Sequence, residues 1–153
     1  MTGTFAHRMA DARVRHDTAL VGDFTGIYCK GHHADRRRRP AATDAASLGV
    51  YGAHPPVVCE ECEAHLAYAE KRRAYCAKDP KPFCAHCDTH CYAAPESEWQ
   101  CVMMRYSGPR SWAHGYLIDG LKHMRDTRRA RTEHARRQAA GMQGVAGSES
   151  ADA

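Results

Sequence analysis

The stretch Cys59-Glu60-Glu61-Cys62-Glu63-Ala64-His65-Leu66-Ala67-Tyr68-Ala69-Glu70-Lys71-Arg72-Arg73-Ala74-Tyr75-Cys76 decides how this chain can fold. From Glu60 to Cys76 it reads as one helix. Cys62, Leu66, Ala69, Arg73 and Cys76 then project on one side, at 3.6 residues per turn. Pro80 and Pro82 prevent its continuation. At 1.5 Å of rise per residue, such a helix holds Cys62 and Cys76 about 21 Å apart. Ligands of one metal ion lie only a few ångströms from one another, so these two thiols cannot serve the same site.

The helix therefore sorts the thiols of a cysteine-rich chain. Cys76, Cys84, Cys87 and Cys91 form a complete four-cysteine set at its far end, and the proline-containing turn can fold Cys84 back toward Cys76. Cys59 and Cys62 form a two-residue-spaced knuckle that points both sulfurs the same way. They need partners from elsewhere, and Cys29, His32 and His33 are the clustered candidates. A rival grouping joins Cys59 and Cys62 to Cys84 and Cys87, as in a zinc ribbon, and requires a bend in the 60–76 helix. His86 and His90 lie among the thiols, where hydrogen bonding or solvent contact suits them better than ligation. Cys101 lies off the apolar face of its helix, has no cysteine nearby in sequence, and is left out of the sites. Four thiolates suit Zn2+ or an iron–sulfur cluster, and Cys-x2-Cys-x3-Cys is compatible with [4Fe–4S] without the full ferredoxin pattern.

Composition supports a metal-stapled fold. Of 153 residues, 8 are cysteine and 11 histidine, while large aliphatic and aromatic residues are sparse. A core that small needs the folding free energy a bound metal supplies. Disulfides would need an oxidising compartment. The N-terminus lacks the apolar run of a signal peptide, and no stretch approaches the length of a bilayer span. The expectation is a cytoplasmic protein with reduced thiols. The net charge of +4 is concentrated in the run Arg36 to Arg39 and in Lys122 to Arg137. Such runs touch phosphate or form solvated faces.

The remaining chain reads as helices and linkers. A first helix spans about Arg8 to Cys29, with Leu20, Phe24, Ile27 and Tyr28 at helical spacing and Gly31 as its C-terminal cap. Residues 34–57, with the arginine run, Gly52 and Pro55-Pro56, read as an exposed loop without regular structure. A short helix is expected from Cys84. Pro95 opens another, with Trp99, Val102, Met103 and Tyr106 as its apolar face, and Gly108-Pro109 breaks it. A last helix from Arg110 carries Ala113, Tyr116, Leu117, Leu121 and Met124 as a stripe that fades into the basic stretch. The fold class is all-α: a small helical domain over residues 1–138, stapled by Cys-rich metal sites, with a disordered loop and a disordered tail at 139–153.

Five words occur in order: Ile27-Tyr28-Cys29-Lys30-Gly31-His32-His33, Cys59-Glu60-Glu61-Cys62, Lys81-Pro82-Phe83-Cys84, His90-Cys91-Tyr92 and Met104-Arg105-Tyr106-Ser107-Gly108-Pro109-Arg110. Together they resemble the bacterial nitrous oxide-stimulated promoter family, from about Arg8 to Met124, with a longer 34–57 segment. The name describes how a gene's promoter responds, not what the protein binds. The resemblance implies a cytoplasmic bacterial protein linked to nitrosative stress, with its biochemical activity open.

Two functions follow. One is a non-enzymatic metal-binding accessory protein of the nitrosative-stress response, acting with a protein partner. The other is a nucleic-acid-binding regulator that lays the basic Arg110–Arg137 helix on phosphates and uses the metal structurally. That helix has few aromatics for base stacking, so only weak, non-specific binding is expected. The sequence shows no nucleophile–base pair, phosphate loop or zincin motif, which argues against an enzyme.

Overall fold

The computed structural model describes residues 3–78, 87, 89 and 91–148. The domain is mostly helical, with 69% of the described residues in helix. In chain order the elements are α1 Phe5–Met9, α2 Ala12–His32, β1 Arg39–Pro40, α3 Asp44–Ser47, β2 Val57–Val58, α4 Glu60–Ala74, α5 Ala94–Arg110, a 3-10 turn Ser111–His114 and α6 Leu117–Ser148.

α2 is the central element. Asp11 caps its start by accepting from the Arg13 and Val14 amides. α4 runs antiparallel to it. Asp17, near the start of α2, accepts from Arg73 Nε at 2.7 Å near the end of α4, while Cys29 meets Cys59 at the opposite ends. α5 packs on α2 as well, where the buried Ser107 hydroxyl donates to the Phe24 carbonyl at 2.7 Å. α4 extends unbroken from Glu60 to Ala74 and buries Cys62, Leu66, Ala69, Glu70 and Arg73. Two small cores result. One gathers Cys29, Ala41, Val58, Cys59, Cys62 and Leu66, and the other Met9, Val14, Ala45, Val50 and Ala74. Tyr51 packs against both.

The first correction concerns residues 34–57, expected as a disordered, flexible loop. They are built onto the core. β1 pairs antiparallel with β2, Arg39 opposite Val58 and Pro40 opposite Val57. α3 is capped by the Thr43 hydroxyl. The anchor is Glu70, 2% exposed on α4. Its carboxylate accepts from Thr43 Oγ1 at 2.6 Å, Tyr51 Oη at 2.5 Å and the Ala45 amide at 3.4 Å. Small polar residues conceal this order, because the segment is held by one carboxylate rather than by an apolar stripe.

The second correction concerns helix ends. Gly31 lies inside α2, and His33 is the cap. Gly31 is needed for close approach: a Cβ there would fall 2.0 Å from the Tyr106 hydroxyl. Gly108-Pro109 does not break α5, which includes both and ends at Arg110. Pro109 is the residue before the last of α5, so the hydrogen bond that its nitrogen cannot donate is missing only from the final turn. The sharp change comes at Gly115, φ +92°, so the last helix starts at Leu117 rather than Arg110. The expected tail begins within α6, and residues 149–153 lie outside the described residues. α5 buries Gln100, Met103 and Ser107 while Val102 is exposed, so its buried face is rotated from the expected one.

Glu70 gives a prediction. Burial raises its pKa, against the three donors. Its protonated form then stabilises the fold at low pH, and that contribution fades as pH rises from the ordinary carboxylate range through the raised value. Glu70→Gln should remove this slope from a pH series of denaturant midpoints. Glu70→Ala should cost about 2–4 kcal/mol, because three donors lose their acceptor. It should also open residues 34–57 to limited proteolysis.

Candidate metal centre

The site forms where the C-terminus of α2 meets the N-terminus of α4. Cys29 lies in the last turn of α2 and His33 is the residue that caps it, so both stand at its C-terminus. The pairing of β1 with β2 delivers the chain to Cys59, which caps α4 from an extended backbone. Cys62 follows in that turn and points back to the same place.

His33 Nδ1 stands 3.2 Å from Cys62 Sγ and 3.3 Å from Cys59 Sγ. The Cys59 amide donates to Cys29 Sγ at 3.1 Å. All four ligand atoms lie within 4.8 Å of one another. Metal bonds of 2.0–2.3 Å put the vertices of a tetrahedron about 3.5 Å apart, so this spacing fits one ion. Cys29 and Cys62 are fully buried, Cys59 is 4% exposed and His33 9%.

The electrostatics fit a cation. Burial, followed by the nearby Cys29 and Cys59 sulfurs, pushes the Cys62 thiol strongly up. Burial likewise raises Cys29. Burial opposes ionisation of Cys59 too, but the Cys62 amide, the Cys62 and Cys29 thiols and the Arg36 guanidinium outweigh it, and its pKa is lowered. Burial and then Arg36 lower His33, which keeps its imidazole neutral, the form that ligates. Three crowded sulfurs resist joint ionisation, and a divalent ion is the charge that would relieve them.

His32 is not in this group. It is exposed, stacked on Tyr28 at 4.5 Å and edge-on to Tyr106 at 4.4 Å. Cys76 lies just beyond the far end of α4, half-buried, with its carbonyl accepting from Arg8 at 3.2 Å. Cys87 is half-buried and donates to the Thr89 carbonyl at 3.3 Å, and Cys91 is exposed. Cys84, His86, His90 and the helix expected from Cys84 lie outside the described residues. Among the described residues, Cys29, His33, Cys59 and Cys62 are the one group of three or more His, Cys, Asp or Glu gathered this closely. Cys101 is exposed on α5.

The sequence reading missed the wall of the site. Tyr28 packs edge-on against His33 at 5.8 Å and against Trp99 at 5.4 Å. Trp99 stacks on His65 at 4.0 Å, and His65 Nδ1 meets the Glu96 carboxylate at 2.8 Å. The signal available was His65 standing three residues after Cys62, one turn along the same helix face.

A family model described as nitrous oxide-stimulated promoter matches residues 12–136. The chain belongs to that family. The matched span includes all four residues of the cluster and the 34–57 segment. No match was found among curated proteins or solved structures. No described helix is long and apolar enough to cross a membrane.

The thiol environments predict an order of alkylation in the reduced, metal-free protein. Exposed Cys91 and Cys101 should react first. Of the three core thiols, Cys59 should precede Cys29 and Cys62, because thiolate is the reactive form. Peptide mass mapping over time checks this, and equal rates for the three core thiols would contradict it.

Proposed function

We propose that this protein is a non-enzymatic, cytoplasmic zinc-binding accessory factor of the bacterial nitrosative-stress response. The observation that carries the reading is the convergence of Cys29, His33, Cys59 and Cys62 within 4.8 Å at the junction of two helices. Three cysteines and a histidine are a common structural zinc set. The spacing favours a single ion over a [4Fe–4S] cluster, which must fit four irons and four sulfides between its ligands. His33 then serves as the imidazole ligand and His32 does not. Family membership supports the link to nitrogen oxides, and cysteine thiolates are the groups that nitrosation modifies. Cys76, Cys84, Cys87 and Cys91 are proposed as a second site on spacing alone, separated from the first by the length of α4.

Metal analysis of the protein purified under reducing, anaerobic conditions tests this. Cys59→Ser and His33→Ala should each remove one zinc per chain and lower the melting temperature. His32→Ala should leave the metal in place, and Cys87→Ser should spare the first site. A brown protein containing iron and sulfide would replace zinc with the cluster. A metal-free protein that unfolds cooperatively would end the reading.

A second reading, a nucleic-acid-binding regulator, is favoured by α6, which presents Arg125, Arg128, Arg129 and Arg136 along one side. The expected outcome is weak binding that falls steeply with salt and does not distinguish a DNA sequence from its scrambled control. Tight, sequence-selective binding at physiological salt would favour the regulator.

A further inference from the structure

On the outer side of α2, opposite the metal centre, lies a cleft of about 550 Å³. Ile27, Lys30, Arg38, Pro56, Tyr106 and Arg110 line much of it. Two of the family's words meet here, because Gly31 admits the Tyr106 ring against the α2 backbone. The Arg110 guanidinium sits 3.8 Å over that ring and donates to the Tyr106 carbonyl at 2.7 Å, which fixes its position.

The charges in this cleft are uncompensated. Of the run Arg36 to Arg39, Arg36 pairs with Glu61 and Arg39 with Glu63. Arg38 is the least exposed of the four, yet it has no ion pair or hydrogen bond among the described residues. Lys30 has no such partner either. Asp23 is the one acid in the lining, and its carboxylate already accepts from Tyr116. Three permanent cations against one engaged carboxylate leave a net positive cleft, and a half-buried arginine without an acceptor is unfavourable. Gly26 adds an independent sign. Glycine inside a helix costs about 1 kcal/mol relative to alanine. A Cβ at Gly26 would meet only Pro56, at an ordinary 3.4 Å, so packing does not require glycine there. Its effect is to leave the helix backbone open on the cleft.

We infer that this cleft binds a small diphosphate-bearing ligand, with Lys30, Arg38 and Arg110 as its phosphate contacts. Arginine forks match phosphate oxygens, and lysine adds a point charge. Ile27, Pro56 and the outer face of the Arg110 guanidinium offer an apolar and planar surface to the body of the ligand. The cavity is of the size that small organic ligands fill.

The test uses the full chain, with calorimetric titration of pyrophosphate, ADP and adenosine at low salt. Pyrophosphate and ADP should bind saturably and adenosine should not. Tighter binding of ADP than pyrophosphate means that the nucleoside contacts the cleft, and equal binding means that the diphosphate alone is recognised. Both outcomes support the site. Lys30→Gln and Arg38→Gln should each weaken binding about tenfold, roughly 1.4 kcal/mol. Arg38→Lys should restore part of it. Lys30 is exposed, so its variant keeps the fold should Arg38→Gln fail to. Arg128→Ala with Arg129→Ala, on α6, should leave binding unchanged. The inference is overturned if neither ligand binds by about 1 mM, if adenosine binds as well as ADP, or if the α6 variant loses binding as the cleft variants do.

Discussion

Three sulfurs and one imidazole nitrogen share a space at the heart of a very small core, and the architecture is arranged around them. Cys29, Cys59 and Cys62 are three of the six residues in the larger apolar cluster. α2 brings two ligands from its C-terminus and α4 two from its N-terminus, so the antiparallel packing of these helices is also the assembly of the site. The ends of the pair away from the site are tied by Arg73 and Asp17, and by Arg8 reaching the Ala74 carbonyl. α5 covers the site with Trp99 and Tyr106, through Tyr28.

Much of this was legible. The α4 helix follows from one apolar face, and its length alone separates Cys62 from Cys76. The gathering of Cys29 with Cys59 and Cys62 followed from having no other partners at that end. The choice between His32 and His33 was not legible, because both lie about one turn from Cys29. It depends on where α2 stops: His32 is its last residue, and His33, at φ −125°, turns inward. The order of residues 34–57 was hidden for a different reason. Periodicity reveals stripes of apolar residues, whereas this segment is fixed by Thr43, Ala45 and Tyr51 converging on one buried carboxylate. Gly31 carried a true signal that was assigned the wrong cause: it marks the approach of Tyr106 rather than a helix end.

The arginine run shows how position divides like residues. Alternate side chains of an extended segment leave in opposite directions. Arg39 reaches Glu63 of α4, and Arg38, its neighbour, lines the outer cleft. The last turn of α2 is divided in the same way, with Cys29 facing inward and Lys30 outward. One turn of helix therefore serves two surfaces, and a change in its pitch would reach both.

The sulfur contact between Cys29 and Cys59 spans 30 positions of the chain. Everything between them, including the arginine run, α3 and both short strands, forms a closed loop whose clasp is the cluster itself. Closing such a loop costs chain entropy that grows slowly with its length, and the contacts at its ends offset that cost only in the folded protein. Chemical modification of a single sulfur at the clasp would therefore not act as a point lesion. It would loosen the closure of a loop that spans about a fifth of the chain, while Glu70 still holds the middle of that loop through Thr43, Ala45 and Tyr51.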